Sequence, residues 1–174
     1  LYVYKGSLVL RGSDISGSKN YGVGVLATGS ATILNTNISQ CEWPLGYFGQ
    51  GAIAFSGTNN FTGNTHDGVY MSFSTLSPGT LFLDTLNIPY VFPYFTVNAG
   101  ATLEIASSNM LKFTSGAALN INGTLIANAS AGQQIKMTSY NDDNVGGNTD
   151  AVVGTPVQSF WYGIIFNNSS IDTA

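Results

Sequence analysis

The feature that most constrains the fold is a short element that recurs every 23 residues. The triplet Asp14–Ser16 returns as Asn37–Ser39 and again as Asn60–Thr62, and Leu10 and Ile33 keep the same offset. A period of this length, built of short strands and turns, is typical of a β-solenoid, in which each repeat forms one coil stacked on the next.

The second half of the chain carries a similar repeat. Thr80–Leu83 returns as Thr102–Ile105 after 22 residues, and a shorter step of 16 leads to Ala118–Ile121. No window sustains the apolar spacing of an amphipathic helix. The sequence therefore predicts an all-β chain, a single β-solenoid domain over residues 1–174 with coils of about 22–23 residues.

Stacked coils place equivalent side chains in ladders along the axis, at the roughly 4.8 Å spacing of paired strands. The repeat predicts an inward apolar stack of Ile15, Ile38 and Phe61. It also predicts a neighbouring corner ladder of Asp14, Asn37 and Asn60. Asn and Asp suit a corner because they tolerate left-handed backbone and bond to nearby amides.

Three departures from the regular repeat divide the chain. Residues 1–88 are predicted as regular coils, with an inserted loop near 41–50. Residues 89–95 hold four aromatic rings and two prolines, which make a poor interior strand, so we expect a bridge between the two halves. Residues 96–174 are predicted as further coils with a polar excursion at 140–159.

The repeat resembles the right-handed parallel β-helix repeats of secreted and cell-surface proteins. A more specific resemblance lies in residues 96–139 and in Trp161–Phe166 (WYGIIF), which are similar to a recurring segment of large prokaryotic cell-surface and adhesin-like β-helix proteins. In that family the excursion often contains Gly-Gly-Asp, whereas this chain has Gly146-Gly147-Asn148. The resemblance implies a right-handed helix and a place at the cell surface.

The composition limits the partners and the compartment. Only 8% of residues are charged and Lys and Arg total five, which argues against a nucleic-acid surface. The lone Cys41 excludes an internal disulfide, and no apolar run is long enough for a membrane helix. Low charge with abundant Ser, Thr, Asn and Gly favours an extracellular location. Six sequons make the following asparagines candidate glycosylation sites: Asn37, Asn60, Asn122, Asn128, Asn167 and Asn168.

The polar excursion is the strongest candidate for a metal site. Asp142, Asp143, Asp150, Asn144 and Asn148 offer oxygen ligands within ten residues, as calcium requires. The spacing is not that of an EF-hand. Calcium binding is therefore one interpretation, and the other is a polar loop closed by Asn and Asp side chains on backbone amides. No other cofactor is expected.

Other residues offer weaker signals for ligands or catalysis. Trp43, Tyr47 and Phe48, in the predicted inserted loop, either face a ligand or fold back on the coil. His66 and Asp67 precede a glycine at a predicted turn, where Asp-Gly is ordinary turn chemistry. No catalytic residue is predicted.

The ends of the sequence show no capping helix, and Leu1–Tyr4 already has a strand pattern. A bare terminal coil exposes unpaired backbone, so we expect the ends to be covered by the rest of a longer surface protein or by other copies stacked head to tail. The sequence thus predicts a non-catalytic, extracellular structural or adhesive module that forms a filament or surface layer. The alternative is a β-helix that binds or cleaves carbohydrate, with glycans as partners.

Overall fold

The computed structural model describes residues 1–167 and the backbone of residues 171–173. The described part is all-β, without a helix, and its strands are short. In chain order they are β1 (Tyr2–Val3), β2 (Ser7–Arg11), β3 (Asp14–Ser16), β4 (Tyr21–Leu26), β5 (Ser30–Leu34), β6 (Asn37–Ser39), β7 (Trp43–Phe48), β8 (Ala52–Ser56), β9 (Val69–Met71), β10 (Thr75–Leu76), β11 (Gly79–Leu83), β12 (Tyr90–Phe92), β13 (Phe95–Val97), β14 (Ala101–Ile105), β15 (Met110–Phe113), β16 (Ala118–Ile121), β17 (Thr124–Ala127), β18 (Lys136–Ser139), β19 (Gly163–Phe166) and β20 (Ile171–Thr173).

The strands stack as a β-solenoid of about six turns, with neighbouring coils paired in parallel. Seven strands form the longest sheet, in the order β1-β4-β7-β9-β12-β15-β18. The remaining sheets are β2-β5-β8, β3-β6, β10-β13-β16-β19 and β11-β14-β17-β20. The predicted fold class is therefore confirmed.

The predicted ladders appear in the observed register. Asp14 pairs with Asn37 and Ile15 with Ile38, and an isolated bridge joins Asn37 to Asn60. At the corner, the side-chain amide of Asn37 donates to Asp14 Oδ1 over 3.1 Å, and the side-chain amide of Asn60 donates to Asn37 Oδ1 over 2.8 Å. The 23-residue repeat thus marks one coil, with side chains as well as backbone hydrogen-bonded along the axis.

The second repeat is confirmed in part. Thr80 pairs with Thr102, and the pairing continues to Leu83 and Ile105. The step of 16 residues is wrong as an alignment, because Ala118–Ile121 pairs with Gly163–Phe166 and belongs to another sheet. Two different strands within one coil share a similar sequence, which makes them look like successive repeats.

Two predicted irregularities are regular strands. The supposed inserted loop near 41–50 contains β7, which pairs with β4 and β9 inside the seven-stranded sheet. The supposed bridge at 89–95 contains β12 and the start of β13. Its two prolines, Pro89 and Pro93, fall just outside β12, where a missing N–H costs no ladder bond. Both aromatic runs supply rings to one hydrophobic core that runs through the stack.

The sides of the solenoid change partners midway. The sheet β2-β5-β8 ends at β8, and the sheet that begins with β11 starts in the next coil. Within the described residues, the seven-stranded sheet alone runs from the first coil to the last. We call the cleft between β8 (Ala52–Ser56) and β11 (Gly79–Leu83) the strand gap.

Candidate functional site

The polar excursion folds back over the outer face of the seven-stranded sheet. Register places Thr138, Lys112, Val91 and Tyr70 in one row across β18, β15, β12 and β9. Val91 and Lys112 alternate with core residues along their strands and so point outward, yet both are fully buried. The excursion is what covers them.

Lys112 holds the excursion to the sheet. Its ammonium donates to the carbonyl of Gly147 over 2.6 Å and to Thr149 Oγ1 over 2.8 Å. Burial lowers the pKa of Lys112 from its ordinary value of 10.5, and the charges of Asp143, Asp142 and Asp150 oppose that shift. A buried cation with these two acceptors ties one point of the loop to the centre of the sheet.

An aromatic cluster lies beside this lysine. The Trp43 ring stacks on the His66 imidazole, with centroids 4.5 Å apart, and lies parallel to the Tyr140 ring at 6.5 Å. The Tyr140 hydroxyl donates to the Thr149 carbonyl over 3.0 Å, and His66 Nδ1 lies 2.9 Å from the same oxygen. These side chains join the excursion to residues far earlier in the chain. We call the set the latch, and its members are Trp43, His66, Lys112, Tyr140 and Thr149.

The acids of the excursion close its turns. Asp142 accepts from Thr138 Oγ1 over 2.7 Å and from the backbone amide of Asn144 over 3.1 Å. Asp143 accepts from the Gly154 amide over 2.7 Å, and Asp150 from the Val152 amide over 3.0 Å. These contacts are the ones expected of Asp in a long polar loop.

The calcium interpretation is left with few ligands. Asn144 and Asn148 are exposed. Among the residues that the structure describes, no group of three or more His, Cys, Asp or Glu is placed to hold a metal. Asn141 Oδ1 and Asp143 Oδ1 are buried without a hydrogen-bond partner. Calcium binding by this loop stays a prediction.

The aromatic residues proposed to face a ligand are not at the surface. Trp43 and Tyr47 are buried, and half-buried Phe48 contacts the Tyr21 ring edge-on at 4.8 Å. The interpretation that they fold back on the coil fits this arrangement. The reason is that residues 43–48 form a strand of the sheet rather than a projecting loop.

Two acids elsewhere, Asp67 and Asp84, also bond to the backbone of their own turns. Asp67 accepts from the amides of Gly63 and Asn64 over 3.1 and 2.8 Å, as the turn interpretation requires. Asp84 accepts from the Thr85 amide over 2.8 Å. Neither residue contacts the His66 ring in the hydrogen bonds that the structure describes.

The sequon asparagines differ in how their side chains are used. Asn37 and Asn60 are joined in the corner ladder, and the Asn167 amide donates to Asn122 Oδ1. Asn128 follows β17, is exposed, and has no described side-chain hydrogen bond. Asn168 lies outside the described residues.

In a host that glycosylates Asn-X-Ser/Thr, we expect Asn128 to carry a glycan at the highest occupancy, because its amide is free to react. Glycopeptide mass spectrometry of the protein and of Asn128→Gln measures this directly. The matched control is Asn37→Gln, which should leave the glycan mass unchanged. Full occupancy at Asn37 with Asn128 unmodified would contradict the expectation.

No protein-family model, curated protein or solved structure matches this chain. The resemblance to prokaryotic adhesin-like surface proteins therefore stays a prediction from the residues that carry it. Among the described residues, no helix is long and apolar enough to cross a membrane.

Sequence reasoning missed the latch. Its members lie up to 106 residues apart, from Trp43 to Thr149, and none of them forms a motif. The one available signal is Lys112 between Leu111 and Phe113, where alternation predicts an outward lysine but not its cover. The residues proposed for calcium lie next to the latch and support the same loop.

Replacing Lys112 by Met should release the excursion without unfolding the solenoid. Hydrogen bonds to a charged group contribute about 1.5–3 kcal/mol each, so local opening should become at least about tenfold more frequent. Limited proteolysis with an enzyme that cleaves beside valine would report faster cutting at Val152 and Val153. Lys136→Met, the same change at an exposed lysine in the next coil, is the control and should cut at the original rate. Equal rates for all three proteins would contradict the role of Lys112.

Proposed function

We propose that the protein is a non-catalytic structural module of an extracellular surface, a stiff rod that extends by stacking further β-coils on its ends. The observation that carries the proposal is the parallel ladder that runs through the whole described stack. Each strand of that ladder fixes the position of the next at hydrogen-bond distance, which resists bending and extension of the axis.

Side-chain amides reinforce the ladder at the corners. Asn59 Oδ1 accepts from the Thr36 amide over 2.9 Å, and Asn64 Oδ1 accepts from the Cys41 amide over 3.0 Å. Asn35 Oδ1 accepts from the Thr58 amide over 2.9 Å. Turns that would otherwise be loose connections are thereby bonded to the adjacent coil, which supports a mechanical role.

The use of the acids also supports this proposal over polysaccharide cleavage. Glycoside hydrolysis needs two carboxylates that face one another across a substrate. In the excursion, Asp142, Asp143 and Asp150 are each turned to a backbone amide of their own loop. We therefore favour the structural role over the carbohydrate-active alternative.

The terminal coils of the described stack have uncovered edges. Leu10 and Ile15 in the first coil are partly exposed, whereas their ladder neighbours Ile33 and Ile38 are fully buried. At the other end Phe166 is 46% exposed, whereas its ladder neighbour Ile121 is fully buried. We expect apolar faces and unpaired strands of this kind to be covered by the end coil of a second copy.

Sedimentation of purified protein over a range of concentrations tests this proposal. The Ser30 amide donates to the Gly6 carbonyl, and the Gly12 amide donates to the Leu34 carbonyl, so the even-numbered residues of this edge face β5. The N–H and C=O of Val9 therefore point out of the stack. We expect the chain to associate end to end, and Val9→Pro to weaken association at least tenfold while the melting temperature stays within a few degrees. Val9→Thr keeps the N–H and should associate like the parent. A protein that stays monomeric throughout, or a proline that changes nothing, would overturn the proposal.

A further inference from the structure

The strand gap interrupts the side of the solenoid in the middle of the stack. β8 pairs with β5 on one side, and β11 pairs with β14 on the other. No described backbone hydrogen bond joins β8 to β11 across the gap. Cavities of about 340 and 500 Å³ lie along it and meet at Asp84. Two strand edges therefore face each other across open space.

The direction of the β8 peptide groups follows from its pairing with β5. The Ala52 amide donates to the carbonyl of Gly29 on the β5 side. In a strand the N–H and C=O of one residue point to the same side, and those of the next residue point to the other, so the N–H and C=O of Ile53 and Phe55 point into the gap. The Ile53 backbone is already hydrogen-bonded to the Tyr47 hydroxyl. The Phe55 N–H and carbonyl have no described partner on the gap side.

The β11 edge is complementary. The Gly79 amide donates to the carbonyl of Gly100 on the β14 side, so the N–H and C=O of Thr80 and of Phe82 point into the gap. Neither group has a described hydrogen bond there. The gap thus has N–H and C=O groups without a described partner on both walls, those of Phe55 on one and those of Thr80 and Phe82 on the other.

One end of the gap already contains a peptide-like group. The Gln50 side-chain amide donates to the carbonyl of Ser77 over 2.9 Å, and its oxygen accepts from the Ser77 amide over 3.1 Å. The Ser77 N–H and C=O, at this end of the gap, therefore both face the coil of β8 and take an amide as their partner.

We propose that the strand gap binds an extended segment of another polypeptide, which inserts between β8 and β11 and joins their sheets into one. Backbone hydrogen bonds on both sides supply the affinity, as when a peptide adds to a sheet edge. The walls favour an apolar or β-branched segment: Phe82 is 47% exposed there, and Ala52 and Ala54 leave room beside it. Asp84, which follows β11 and lines both cavities, favours a neutral or basic residue over an acidic one.

The probes are synthetic peptides with the sequences of β5 and β14, the strands that pair with β8 and β11 in the fold. We would label residues 28–36 and residues 99–107, which contain β5 and β14, and measure fluorescence anisotropy against the whole chain. We expect at least one to bind with a dissociation constant below about 100 µM. The same peptides N-methylated at alternate residues keep their side chains but lose main-chain donors, and they should bind at least tenfold more weakly.

A protein variant places the binding in the gap. Thr80→Pro removes a gap-facing N–H that no ladder bond uses, and should weaken peptide binding at least tenfold. Thr80→Val keeps that N–H and should bind like the parent. Failure of both peptides to bind at 1 mM, or equal binding of the N-methylated forms, would overturn the proposal. A neutral oligosaccharide that displaces the peptide and binds more tightly would also overturn the proposal, because the gap would then be a glycan site.

Discussion

Above about pH 10 the free energy of unfolding should fall by about 1.4 kcal/mol per pH unit for each tyrosine that stays protonated in the fold. Burial raises the pKa of Tyr47 and of Tyr90 well above the ordinary value of 10. Burial also raises the pKa of half-buried Tyr21 to about 12. The unfolded chain therefore loses these protons first, so the stabilisation is complete below pH 10 and is lost as the pH rises through the folded pKa values.

For Tyr47 and Tyr90 together, the expected slope is about 2.7 kcal/mol per pH unit, which is large against a typical total stability of about 5–15 kcal/mol. Urea titrations at several alkaline pH values would measure it. Tyrosinate absorbance should rise in the same pH range in which the sheet signal is lost.

Tyr90→Phe is the decisive variant. It should lower the slope by one proton, and it should cost about 1 kcal/mol at pH 8 because the Tyr90 hydroxyl donates to the Asp84 carbonyl over 3.0 Å. Lys112 has the opposite effect on the pH dependence of stability. Burial lowers the pKa of Lys112, so its contribution to the free energy of unfolding increases as the pH rises to about 10.5, the ordinary pKa of lysine. A slope that Tyr90→Phe leaves unchanged would contradict the burial of this ring.

Gly123→Ala should destabilise the protein by about 3 kcal/mol or prevent folding, because it forces two coils apart. Gly123 is buried at the corner between β16 and β17, and its amide bonds to the Val97 carbonyl of the previous coil. A Cβ there would overlap the carbonyl oxygens of Asn98 and Ala101. Backbone oxygens in a ladder cannot move away as a flexible side chain can.

Gly132→Ala separates this steric effect from the general cost of losing a glycine. Gly132 has a φ of +80° but nothing within 4 Å of its would-be Cβ, so alanine there meets only the left-handed backbone cost of about 1–2 kcal/mol. Urea unfolding followed by tryptophan fluorescence would compare the two variants. If Gly123→Ala cost no more than Gly132→Ala, the close approach of the coils at this corner would be wrong.

The fold was predictable because similar residues recur at positions that stack on one another in successive coils. Ile15 and Ile38 occupy equivalent core positions, so their spacing of 23 residues is the length of a coil. The corner ladder was predictable for the same reason. Local composition was misleading where Trp43 and Pro44 begin β7, since an aromatic-proline pair is more typical of a loop than of a central strand.

The excursion was predicted as a departure from the coil, but its docking was not. Its contacts with Lys112 and His66 bridge 35 and 83 residues, and no periodic pattern encodes such pairs. The strand gap left a fainter signal. The corner ladder of Asn37 and Asn60 does not continue into the coil that follows Asn60. That coil is the one in which the solenoid changes its side sheets.

The most direct test of a stacking rod is electron diffraction from purified native material. Strands that pair across successive coils lie about 4.8 Å apart along the axis. We predict elongated rods or filaments with a reflection at about 4.8 Å parallel to their long axis. Compact, separate particles, or a 4.8 Å reflection perpendicular to the long axis, would contradict the proposal that the protein extends by adding β-coils to its ends.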